Sequence, residues 1–183
     1  MAVLLAARHL IDRTRHPRGR ADALLQLRTR LEELPSTRGV APERVSLARR
    51  LGELRQQLTD ALRDVRSCSG CAVGHPEPYG HWSGGHCCGG ETPRVFTDDE
   101  LAVLKLSGTT SSKLTPPRSD FAGCAFRGPV GCSLEPGDRP TLCVRFVCME
   151  LERELRQRGD LPKIRALQRE LSETFARLTR RDV

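Results

Sequence analysis

Eight cysteines, Cys68, Cys71, Cys87, Cys88, Cys124, Cys132, Cys143 and Cys148, fall within 81 consecutive residues of a 183-residue chain. None stands in the first 67 residues or the last 35. Thiolate is a soft donor, so such a cluster selects zinc, copper(I) or iron–sulfur chemistry over magnesium or calcium. Cys68-x2-Cys71 is the spacing that lets two sulfurs face one cation, with Gly70 easing the turn between them. Cys87 and Cys88 are adjacent and point oppositely in an extended chain. They can therefore serve two ions, or two iron atoms of one cluster, and Gly84, Gly85, Gly89 and Gly90 leave the backbone free to bend around them. The competing reading makes one of the pair a small buried packing residue. His75, His81 and His86 lie between Cys71 and Cys87, and His86 has the best claim to be a ligand. Surface histidines, or histidines that only orient a ligand, fit the same positions. Trp82 is expected to pack over the site.

The stretch "GCAFRGPVGCSLEPGDRPTLCVRFVC", 123–148, resembles the cysteine-cluster proteins known as zinc- or iron-chelating domains, the YkgJ-like family. The resemblance is carried by Cys124 with Phe126, by Gly131-Cys132, and by Arg139-Pro140-Thr141-Leu142-Cys143. Cys68, Cys71, Cys87 and Cys88 look like the family's initial C-x2-C-x2-C-C run, but here the second gap is fifteen residues and carries the three histidines. The likeness covers residues 68–148, under half the chain, and implies metal binding without an established reaction. Read physically, Pro140 fixes its own φ and biases Arg139 away from helix. Cys148 leads into a C-terminal helix, where a sulfur gains from the positive end of the dipole. Arg139 and Arg145 are candidates to offset thiolate charge, or are simply solvated.

Around this module the chain is helical. Only 4% of residues are aromatic, which disfavours a conventional aromatic-rich core and favours a metal or disulfide staple as a source of order. Leu24, Leu27, Leu31 and Leu34 predict a helix over 21–34. Leu47, Leu51, Leu54, Leu58, Ala61 and Val65 form a heptad seam after Pro42. The seam, under three heptads long, is read as one side of an intramolecular hairpin in preference to a dimerising coiled coil. Met149, Leu151 and Leu155, then Ile164, Leu167, Leu171, Phe175 and Leu178, predict two C-terminal helices over 148–157 and 161–180. Gly159 stops the first and Asp160 caps the second. Thr97 and Glu100 in "TDDELAVLKL" form a capping box, and 107–119 reads as a polar loop. The expected fold is mostly α, in three parts: an N-terminal arm 1–66, a cysteine module 67–148 and a C-terminal arm 149–183. The arms pack around an irregular, metal-stapled centre.

The formal charge of +7 sits on the arms. Residues 1–66 carry +6 and residues 67–148 carry −1. The basic residues, 27 Arg and only three Lys, alternate with acids as on a solvated helix face, which disfavours nucleic-acid binding. "MAVLLAARHL" is too short and too early interrupted for a secretory core, and no run approaches a membrane span. The expected compartment is the cytoplasm, where thiols stay reduced and bind metal. No P-loop, G-x-S-x-G or dinucleotide fingerprint is present. The expected function is non-catalytic chelation of zinc or iron, with a metal ion as partner and self-association or a protein partner through the arms. The alternatives are an iron–sulfur redox or protein-modification component, of the methylation type that the resemblance brings with it, and a zinc-dependent nucleic-acid binder. An extracellular disulfide scaffold is disfavoured for want of a signal peptide.

Overall fold

Leucine spacing becomes helix over nearly the spans it predicts. The computed structural model describes residues 19–67, 92–117, 124–128 and 131–180. Helix α1 is Gly19–Glu33 and helix α2 is Pro42–Ala61. Pro42 occupies the first turn of α2, where a missing N–H leaves no bond unmade. Two short helices follow, α3 (Thr92–Val95) and α4 (Asp98–Leu106), and then a 3₁₀ turn at Ser111–Lys113. Strands β1 (Arg127–Gly128) and β2 (Gly131–Cys132) form a small antiparallel ladder that pairs Arg127 with Cys132. A second 3₁₀ turn, Pro136–Asp138, leads to α5 (Thr141–Arg145), α6 (Met149–Arg158) and α7 (Leu161–Thr179). The described residues are mostly helical, and no described helix is long and apolar enough to cross a membrane.

The heptad seam of α2 faces α7 of the same chain. Leu51, Leu54 and Leu58 are fully buried in a cluster with Leu155, Ile164, Leu171 and Leu178. Each buried leucine stabilises the fold by about 1.5–3 kcal/mol. Arg50 crosses between the same helices to Glu170, with Nη2 at 2.7 Å from Oε1. Helix α1 packs elsewhere. Its Leu24, Leu27 and Leu31 join Val95, Phe96, Leu101, Leu104, Leu114 and Phe126 in a second cluster. The N-terminal helices thus divide between two cores, and α4 joins them: Val103 enters the first cluster, Leu101 and Leu104 the second. Lys105, near the end of α4, donates to the carbonyls of Leu31 at 3.0 Å and Glu32 at 3.1 Å. These are last-turn carbonyls of α1, where a cation is favoured.

Local signals behave unevenly. Gly159, at φ 77°, ends α6, and the Asp160 N–H reaches back to the Leu155 carbonyl at 2.9 Å. Asp160 does not cap α7 with its side chain. Its carboxylate pairs with Arg158 at 2.9 Å instead. The segment after α4 is only partly a polar loop, because Leu114 is fully buried and Thr109 nearly so.

At the edge of the cysteine module, Glu154 of α6 accepts the backbone N–H groups of Arg66 at 2.9 Å and Ser67 at 2.8 Å. These two bonds, Ser67 first, hold its carboxyl below the usual range. Because the folded carboxyl titrates lower than the unfolded one, ionised Glu154 stabilises the fold above about pH 4.3. That contribution is lost as pH falls through the lower folded value. Glu154→Gln should therefore lower the melting temperature at pH 6–7, with the gap from wild type closing as the pH is brought to 3. In the second cluster the rings of Phe96 and Phe126 lie 5.4 Å apart at 56°. Phe126→Ala should cost about 3–5 kcal/mol in denaturant unfolding, the usual loss for an emptied aromatic site.

Candidate metal centre

Four of the eight cysteines lie in the described residues, and they divide between the two cores. Cys124 opens the turn into β1, Cys132 lies on β2, and Cys143 is the third residue of α5. All three are partly buried and pack against the second cluster. Cys148 packs against the first. It stands at the N-cap of α6, where its sulfur accepts the Leu151 N–H at 3.5 Å, so the expected placement at a helix start is met. Cys68, Cys71, Cys87 and Cys88, with His75, His81, His86 and Trp82, lie outside the described residues.

Cys124, Cys132 and Cys143, each packed against the second cluster, fit a soft cation in kind. Among the described residues, however, no three His, Cys, Asp or Glu side chains come together as a group that holds a metal. The described cysteines can supply part of a donor set, and a full tetrahedral set needs four ligands. Among the described residues this part of the centre is ordered by apolar packing, together with a buried polar network that sequence reasoning missed.

That network begins at Arg55, which has no solvent exposure. Its guanidinium donates to the Gly137 carbonyl at 3.3 Å, to Thr141 Oγ1 at 3.1 Å and to Glu100 Oε2 at 3.4 Å. Glu100 is also buried. Its two carboxylate oxygens accept the Thr141 backbone N–H at 2.9 and 3.0 Å, and Oε2 accepts the Thr141 hydroxyl at 3.2 Å. The expected capping box at α4 is thus half formed. Thr97 accepts the Glu100 N–H at 3.3 Å, but the Glu100 side chain turns away from Thr97 to cap α5. The reason lies in α5 itself: its N-cap is Pro140, which has no side-chain acceptor to offer. Beside the same guanidinium, Asp138 is buried and accepts the Thr109 hydroxyl at 2.6 Å.

Burial pushes the Glu100 carboxyl above its ordinary range, against the Thr141 N–H and the Arg55 charge. Burial likewise pushes Arg55 down, while Glu100, Asp138 and Cys143 push it back. Arg55, from the N-terminal helices, thus has Cys143 among the groups that oppose the effect of its burial. Arg139 of the R-P-x-x-C motif and Arg145 just beyond it, the two arginines raised by the sequence, make other contacts. Arg139 donates its Nε–H to the Leu134 carbonyl at 2.9 Å, and Arg145 is exposed, 3.4 Å from Ser172 Oγ. A sequence signal for Arg55 exists in hindsight. The buried face of α2 is wider than the seam and includes the position after each of Leu47 and Leu54, which are Ala48 and Arg55.

No family model, curated protein or solved structure matches the chain, so the likeness to the YkgJ-like family rests on the cysteine motifs alone.

Proposed function

We propose that this is a cytoplasmic protein that binds zinc or iron through a cysteine cluster and has no catalytic site of its own. The observation that carries the reading is that Cys124, Cys132 and Cys143, from positions as far as 19 residues apart, each pack against the same core cluster. Cys132 on a two-residue ladder and Cys143 on a short capped helix are held by backbone hydrogen bonds and by Glu100, so their sulfurs are presented from fixed elements. Such holding reduces the ordering that coordination must impose.

Elemental analysis of the full chain, purified without oxygen, tests the reading. At least one zinc or iron per chain is expected, with colourless protein pointing to zinc and a brown band near about 400 nm to an iron–sulfur cluster. Cys124→Ser and Cys143→Ser should each lower the bound metal by at least about half, since a thiolate ligand is lost in each. Metal-free wild type, or unchanged metal in both variants, would refute the proposal.

A further inference from the structure

Helix α5 has five residues, and its inward positions are all taken. Thr141 joins the buried network, Cys143 packs against the second cluster and Val144 enters the first. Leu142, Arg145 and the following Phe146 are left in water. Five large hydrophobic side chains are exposed among the described residues, and three of them, Leu142, Phe146 and Met149, fall within one short run of chain. The other two, Leu25 and Val45, lie on α1 and α2. Leu142, Phe146 and Val147 line an open groove of about 380 Å³ against α7. Gln168 of α7 donates its amide N–H to the Arg145 carbonyl, which ties the two walls of the groove together.

The charge on this groove has one sign. Arg145 and Arg169 line it, and no carboxylate does. Arg145 reaches Ser172 Oγ at 3.4 Å, and Arg169 has no ion-pair partner among the described residues. Nearby arginines differ: Arg156 and Arg165 each reach Glu152 at 2.8 Å, and Arg158 reaches Asp160 at 2.9 Å. A single exposed apolar side chain is ordinary, whereas a group of them rimmed by polar residues marks an interaction surface.

We propose that this groove docks an acidic segment of another protein, one that sets a large apolar side chain over Leu142 and Phe146 and carboxylates against Arg145 and Arg169. Phe, Met and Arg are the residue types enriched where protein surfaces meet. Apolar contact supplies the affinity, and the complementary charge selects the partner and its register. A basic or neutral segment would leave two guanidinium groups covered and unpaired, which is costly. A second copy is disfavoured for a related reason. A two-fold interface sets like patch on like patch, and here it would bring Arg145 and Arg169 against their own counterparts. The proposal stands apart from the metal-binding reading, since no cysteine lines the groove.

Selection of a random-peptide library, displayed on phage, against the full chain tests it. The enriched peptides should combine Leu, Phe, Trp or Met with several Asp or Glu. Leu142→Ser with Phe146→Ser should weaken the best of them at least about tenfold, read by fluorescence anisotropy of the labelled peptide. Arg145→Glu with Arg169→Glu should do the same at low salt, and wild type should itself bind more weakly as salt rises to about 0.5 M. Both double variants should melt within about 2 °C of wild type, because the replaced side chains are exposed. No enrichment, enrichment of basic or uncharged peptides, or undiminished binding by either double variant overturns the proposal. A dimer in sedimentation that Leu142→Ser with Phe146→Ser separates would give the groove to a second copy and overturn it too. A larger fall in melting temperature would give the groove to the chain itself, with the same consequence.

Discussion

A guanidinium and a carboxylate taken out of water each lose several kcal/mol of hydration, about what a few good hydrogen bonds return. In this chain the loss falls on Arg55 and Glu100, and the return comes from one short segment. Gly137 offers a carbonyl, and Thr141 offers a backbone N–H and a hydroxyl that both accepts and donates. These groups belong to the 3₁₀ turn and to α5, which have too few residues to hold a shape alone. The charged pair therefore sets where the segment 136–143 lies against α2 and α4. Cys143 takes its place from that arrangement.

The two cores make the arrangement possible. The first is a leucine-rich contact between α2, α6 and α7, with no aromatic residue among its fully buried members and Phe175 packed at its margin. The second is smaller, holds Phe96 and Phe126, and has Cys124, Cys132 and Cys143 at its margin. Helix α4 contributes to both, so Glu100 is fixed by apolar side chains on either side of it: Val103 toward one cluster, Leu101 and Leu104 toward the other. Arg55 projects from the face of α2 that already carries Leu51, Leu54 and Leu58. Ion pairs on the surface, such as Arg30 with Asp98 and Arg165 with Glu152, add about 0–1 kcal/mol each and leave this geometry to the interior.

The chemistry of the centre follows from what surrounds the sulfurs. Partly buried thiols at a core margin differ from thiols on a solvated loop, since a charge on sulfur is felt more strongly there. Cys148 sits in other surroundings, against the first cluster and at the start of α6, where the Leu151 N–H meets its sulfur. The R-P-x-x-C motif gains a physical reading in this setting. Arg139 braces the turn through the Leu134 carbonyl, Pro140 starts α5 without an acceptor, and Thr141 receives the missing cap from Glu100.

The helices were legible in the sequence because their causes are local. Apolar spacing of three and four placed α1, α2, α6 and α7, and Pro42, Thr97 and Gly159 marked their ends or those of α4. Cysteine spacing made metal chemistry the leading expectation, and the start of α6 located Cys148. The sequence did not reveal that α1 and α2 enter different cores, that Leu114 and Thr109 are buried, or that Asp160 pairs with Arg158 instead of capping α7. Least legible was the Arg55–Glu100–Thr141 network, whose members lie up to 86 residues apart. Periodicity and capping preferences act over one or two turns of chain and determine which residues form helices. Pairing of buried charges is decided only when distant helices exclude water between them, so tertiary packing alone brought Arg55 and Glu100 together on Thr141.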